Sequence, residues 1–358
     1  MPSAQAATAP DAPPVVTNDS VSWRLPAGFI DSAASGVDLD VDWTISSPTA
    51  FTADGAGGWT LQLPRPLAHR FEYQLLVHRP AGDEQVTDPT NPRRVPGPFG
   101  DKSEILFPDY QPPAWLGTEA HGSTAQITDP AGPLAVPVPI QLFSPDGLDD
   151  DTAAPLLIAH DGSDMADRGS LLCWAAAQEL PVRVALLDPP ISYRNPWYAA
   201  DPDYADHIGA TVIPALKASV ATSATAGIGA SLGAVAMMAI HRRHPDSLDA
   251  IALQSGSFFT GELDQQESSW PQFAQVCAAV AAMADALPVQ VRAVPVLMTV
   301  GAIEENRANN ELMAGALSFQ GYEVDAKIVP DAHNMIGWRD AWSPGLDELM
   351  RTIGQPRG

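Results

Sequence analysis

Beyond Pro133 the chain alternates short apolar runs with amphipathic stretches, and no other feature of the sequence restricts its fold so strongly. The runs are VPVPIQLF, APLLIAHDG, VRVALLD, ATAGIGAS, DAIALQSGS, VPVLMTVG and YEVDAKIVP, separated by segments such as SLLCWAAAQEL, LGAVAMMAIHRRHP and NNELMAGALSFQ. A strand that is apolar at nearly every position has both faces buried. Strands joined by helices therefore predict a mostly parallel sheet covered on both sides. Sheets of this kind place their chemistry beyond the carboxyl ends of the strands.

The earlier part of the chain obeys a different rule. VDLDVDWTI, GGWTLQL and RFEYQLLVH place apolar residues at every second position, and clusters of Pro, Gly and Asp separate them. This is the pattern of half-buried strands, and it predicts a small all-β, immunoglobulin-like sandwich over residues 21–115. The proline-rich stretch FPDYQPPAW closes it. An Ala- and Pro-rich tail is expected over residues 1–20, a linker over 116–132 and the α/β domain over 133–358.

A chain of 358 residues with 45% hydrophobic content is long enough for two such domains. Its 43 acidic against 19 basic residues give a formal charge of −24, which argues against nucleic acid as a partner. The two cysteines, Cys173 and Cys277, lie far apart and have no metal-ligand spacing, so neither a disulfide framework nor a metal site is expected. The N-terminal residues do not read as a secretory signal, and no apolar run approaches membrane-spanning length. The expectation is a cytoplasmic protein without a membrane partner, its oligomeric state left open.

Gly229-Ala230-Ser231-Leu232-Gly233 fits G-x-S-x-G between a strand-like run and a long apolar helix. Glycines around the serine permit the sharp turn that lifts its hydroxyl to the edge of the sheet, as in an α/β-hydrolase. A serine hydroxyl needs a base to take its proton, and in this fold the order along the chain is serine, acid, histidine. His333 is the one histidine beyond the helix that follows Ser231, and it comes after the last strand-like run. Glu304 and Glu305 both fall on the loop after VPVLMTVG, and either one suits the role of orienting acid. The backbone N–H of Leu232 and that of Ser163, on the loop after APLLIAHDG, are the expected oxyanion donors. In the irregular stretch PPISYRNPWYAADPDY, Arg194, Trp197 and Tyr198 are candidate substrate contacts. Arg194 would hold an oxygen and the two aromatic residues would wall an aryl group; packing of Trp197 and pairing of Arg194 with Asp201 or Asp203 are the alternative.

With these residues placed, the chain resembles the enterochelin (ferric siderophore) esterase family of two-domain, esterase D-like α/β-hydrolases. The resemblance rests on Asp161-Gly162, GASLGA, QSGSFF, GAIEEN followed by RANNEL, and HNMIGWR; in the first part it rests on TDPTNP and SEILFPDYQPPAWL. It implies a serine esterase with Ser231, His333 and, of the two acids, Glu304, acting without metal or organic cofactor on a small-molecule ester. Two motifs depart from the family. Trp197 stands where R-x-x-E-L has its Glu, and Asp331-Ala332-His333-Asn334 replaces GGHD. A feruloyl-type or general carboxylesterase on aryl or sugar esters is therefore a second reading, and a non-catalytic binding protein on a hydrolase scaffold is a third.

Overall fold

The computed structural model describes residues 12–30, 34–97 and 100–354, which fall into two compact units. The first comprises residues up to Gln111 together with Pro330–Ala332; the second comprises Pro112–Val329 and His333 onward. Residues 1–11 of the expected tail lie outside the described residues.

The first unit is built from β1 (Val15–Val16), β2 (Ser20–Leu25), β3 (Gly36–Asp40), β4 (Thr52–Ala53), β5 (Trp59–Pro64), β6 (Arg70–His78), β7 (Glu84–Val86), β8 (Arg94–Val95) and β9 (Lys102–Leu106). Two antiparallel sheets form, β1-β2-β5-β4 and β3-β6-β9-β8, with β7 beside β6. The alternation seen in the sequence accounts for both. Val21, Trp23 and Leu25 of β2 and Phe71, Tyr73, Leu75 and Val77 of β6 point into a shared core, while the residues between them face outward. TDPTNP places Asp88 inside this unit, where its carboxylate accepts from the Tyr73 hydroxyl at 2.6 Å. Strand pairing begins at Val15, so the expected tail is already part of a sheet by that point.

The second unit is an eight-stranded sheet in the order β10-β11-β13-β12-β14-β15-β16-β17. The strands are β10 (Gly122–Ile127), β11 (Ile140–Pro145), β12 (Ala154–His160), β13 (Arg183–Leu187), β14 (Thr222–Ala230), β15 (Ala250–Gln254), β16 (Pro295–Gly301) and β17 (Glu323–Val329). β10 and β11 run antiparallel to their neighbours, and the rest are parallel. The stretch expected as a linker is thus the edge strand β10. Its side chains are almost all exposed, so it lacks the apolar signal of its neighbours and is held by its ladder to β11.

The continuous apolar runs are explained by what lies on each face. Leu156 and Ile158 of β12 enter one core cluster with helix Leu232–Arg243, and Leu157 and Ala159 enter the other with Trp174, Trp342 and Leu346. β12 thus serves two cores, and every one of its residues is buried. Because β12 and β14 to β17 run in one direction, the turns after His160, Ala230, Gln254, Gly301 and Val329 all emerge at the same edge.

Candidate active site

Ser231 follows β14 directly and precedes helix Leu232–Arg243. Its backbone adopts φ 55°, ψ −124°, a conformation that L-residues avoid and that a nucleophile elbow imposes. The turn is tight enough to dictate its neighbour: a Cβ on Gly229 would stand 2.2 Å from the Gly233 carbonyl oxygen, so only glycine fits. The Ser231 N–H donates to the Gln254 carbonyl at 2.9 Å and its carbonyl accepts from Ser257 N–H at 3.1 Å, which fixes the elbow against the turn after β15. The Ser231 Oγ lies 3.1 Å from Ser257 Oγ.

The loop after β16 carries Glu304, whose side chain is completely buried. Its Oε2 accepts from Ser255 Oγ at 2.7 Å and from the Gly301 N–H at 2.9 Å. Its Oε1 has no hydrogen-bond partner and faces His333 Nδ1 at 3.5 Å. That separation is longer than a hydrogen bond. The His333 ring, after β17, stands edge-on to Trp338 with centroids 5.1 Å apart, and Asn306 Nδ2 lies 3.5 Å from its Nδ1.

These groups are tied together by side chains whose functional weight no local signal announces. Trp338 Nε1 donates to Ser255 Oγ at 2.9 Å, and the Ser255 hydroxyl in turn donates to Glu304 Oε2. Asn310 clamps Gly256 from both sides, accepting from its N–H at 3.0 Å and donating to its carbonyl at 2.7 Å. The motifs QSGSFF, RANNEL and HNMIGWR thus form one hydrogen-bonded scaffold, and their presence in the sequence was the only available hint of it.

Ser231, Leu232 and His333 line a cleft of about 230 Å³ with Asn195, Ser257, Phe259, Glu267, Trp270, Glu305 and Asn306. Glu305, the other expected acid, is exposed and belongs to this wall. Phe259, Glu267 and Trp270 were not anticipated; the last two come from an irregular segment without periodicity. Asp331 binds the Arg70 guanidinium at 2.9 Å.

Several expected contacts are corrected. Trp197 is 6% exposed and stacks on Tyr204 with centroids 5.3 Å apart, and Tyr198 is fully buried, so neither offers a wall to substrate. The helix Ile191–Tyr198 turns both rings into the core instead. Arg194 is held by two hydrogen bonds to Asp161, at 2.7 and 2.6 Å, so its charge is already compensated, and by neither Asp201 nor Asp203. The Ser163 N–H donates to Asp188 Oδ1 at 2.8 Å and its hydroxyl to Asp188 Oδ2 at 2.7 Å; that amide is committed before any oxyanion forms. Leu232, as the first residue of its helix, has an N–H without a helical acceptor.

Beneath the elbow His160 is fully buried, with Nδ1 3.0 Å from the Gly233 carbonyl. Burial holds its pKa down to about 4, against a partly compensating backbone hydrogen bond, and the ring is neutral. Among the described residues no group of three or more His, Cys, Asp or Glu is arranged to hold a metal ion, and no helix is long and apolar enough to cross a membrane.

Sheet order and the turn at Ser231 together define the class: the second unit has the α/β-hydrolase fold, and the first is a β-sandwich. Solved structures similar to it over nearly the whole chain include enterochelin esterases. That of Shigella flexneri superposes with a TM-score of 0.72 at 17% identity, covering 96% of each chain. The same organism's enterobactin esterase in the presence of enterobactin gives 0.73 at 17% identity, with 95% of each chain covered. The ferric enterobactin esterase of Salmonella typhimurium gives 0.71 at 15% identity, covering 93% of this chain and 94% of that one. A ferulic acid esterase matches 66% of this chain and 98% of its own at 15% identity, with a TM-score of 0.52. No family model and no curated protein matches the sequence.

Proposed function

We propose that this chain is a serine esterase that hydrolyses carboxylic esters through an acyl-enzyme. One observation carries the reading: Ser231, on its strained elbow, and His333 line a single cleft, and His333 Nδ1 faces the unpaired oxygen of a buried carboxylate. With Nδ1–H directed at Glu304, Nε2 is the free base of the imidazole. Ser231 Oγ attacks the ester carbonyl carbon as His333 Nε2 takes its proton, and the Leu232 N–H stabilises the oxyanion. The tetrahedral adduct collapses, the leaving alkoxide takes the proton from Nε2, and water, activated by the same nitrogen, releases the acid. Glu304 orients the ring and balances the imidazolium formed in each half-reaction.

Catechol-type siderophore triesters enter as substrates through the names of the structural neighbours, and aryl or sugar esters through the ferulic acid esterase. A ferric catecholate is anionic, whereas the residues lining this cleft include no Lys or Arg and two carboxylates. That wall favours a non-siderophore ester. The test is labelling with a fluorophosphonate, mapped by mass, alongside a panel of esters that includes a ferric catecholate triester. Labelling of Ser231 in the wild type and its loss in Ser231→Ala and His333→Ala is the expected result; an adduct on Ser255 or Ser257 would move the nucleophile.

A further inference from the structure

The acidic wall of the cleft is unusual for a site that must bind esters. The Glu267 carboxylate makes no hydrogen bond or ion pair among the described residues, and that of Glu305 has only a long contact, 3.5 Å, from Gln266 Nε2. Asp264, behind them, is buried and spends its two oxygens on the Thr260 N–H and on Asn309 Nδ2. The two guanidinium-paired acids nearest the elbow and its helix, Asp161 with Arg194 and Asp206 with Arg243, lie outside this cleft. Two unpaired carboxylates facing one cleft repel each other, and burial together with Glu305 and Asp264 raises the Glu267 pKa above its ordinary 4.5. A bound cation would relieve that repulsion.

A second feature of the same wall is aromatic. Trp270 and Phe259 line the cleft beside these acids, with ring centroids 6.4 Å apart and planes at 86°. An aromatic face attracts an ammonium group through its quadrupole, and weakly hydrated alkylammonium groups most readily exploit such surfaces. Arg194, the cation near the elbow, is occupied by Asp161 and does not line the cleft. At long range the net charge of −24 draws cations towards the protein and repels anions.

Building on the esterase reading above, we propose that the substrate is a cationic ester, carrying an ammonium group within reach of Ser231 that is bound by Glu267, Glu305 and the Trp270–Phe259 wall. The carboxylates supply charge and the aromatic faces supply apolar contact to the alkyl groups around the nitrogen. The ester carbonyl then lies between Ser231 and the Leu232 N–H.

The probe is a pair of esters that differ only in charge: butyrylcholine and its carbon isostere 3,3-dimethylbutyl butyrate. Wild-type enzyme should show a kcat/KM for the cationic ester about tenfold or more above the neutral one at low salt, with the ratio falling as ionic strength rises. In Glu267→Gln with Glu305→Gln the ratio should fall towards one. Because it is read within a single preparation, partial loss of folded enzyme cancels. Trp270→Leu should lower it as well. A wild-type ratio near or below one, or a ratio untouched by the double substitution, would overturn the cationic-substrate assignment, as would fluorophosphonate labelling of Ser231 without hydrolysis of the cationic ester. Absence of both labelling and hydrolysis of either ester would overturn the esterase reading beneath it.

Discussion

Glu304 turns one carboxylate oxygen to His333 Nδ1, at 3.5 Å, while the other oxygen is fixed by the Ser255 hydroxyl at 2.7 Å. The two halves of the carboxylate are thus unlike: one is anchored and the other unpaired. In the proposed mechanism the unpaired oxygen balances the imidazolium.

The first prediction concerns the anchor. Ser255 is buried and does not line the cleft, so in the proposed mechanism it is a positioning residue whose loss would free the Glu304 carboxylate to rotate. Ser255→Ala should lower kcat by about tenfold with KM changed little, since the interaction lost is one realised in the transition state. Combined with Trp338→Phe, the effects should be less than additive, because both act through one hydroxyl. Additive losses that track melting temperature would reduce Ser255 to a packing role.

The two adjacent acids should separate cleanly. Glu304→Gln removes the charge facing His333 and should lower kcat at least about a hundredfold on every ester. Glu305→Gln alters the cleft wall and should change discrimination between charged and neutral substrates instead. Similar losses from both on a neutral ester would show that the orienting charge comes from elsewhere.

Trp197→Ala should behave as a core deletion. Its ring packs between Tyr193 and Tyr204, and truncation should cost roughly 3–5 kcal/mol of stability. The ratio of kcat/KM for aryl over aliphatic esters should hold while the melting temperature falls. A shifted ratio at unchanged stability would return Trp197 to the substrate site.

Two buried histidines predict acid sensitivity. Burial lowers His160 and His241 to about 4 from an ordinary 6.5. In this window the unfolded chain binds protons that the folded chain refuses, so stability is fully present above about pH 6.5 and is lost as pH falls towards 4. His241→Gln, away from the cleft, should reduce the slope of unfolding free energy against pH by up to about 1.4 kcal/mol per unit. Denaturant unfolding of both proteins between pH 7.5 and pH 5 measures it; parallel slopes would show that His241 takes up its proton in the folded state as readily as in the unfolded one.

What the sequence by itself determined follows from rules of short range. Alternation made β2 and β6 legible because a half-buried strand must repeat every second residue, and unbroken apolarity made β12 to β16 legible because their two faces serve two cores. The turn around Ser231 was readable because Gly229 and its neighbours are adjacent in the chain. Strand β10 escaped notice because an edge strand exposed on both faces is held by backbone pairing, which leaves no pattern in side chains. Tertiary structure alone decided the partners. Arg194 met Asp161 across 33 residues, Ser163 lost its amide to Asp188, and Trp197 turned inward. Charge and aromaticity say what a side chain can do, but not which way its backbone aims it. The acidic and aromatic wall exists only because the segment that carries Glu267 and Trp270 meets the loop after β16, which carries Glu305, at the edge where the parallel strands end.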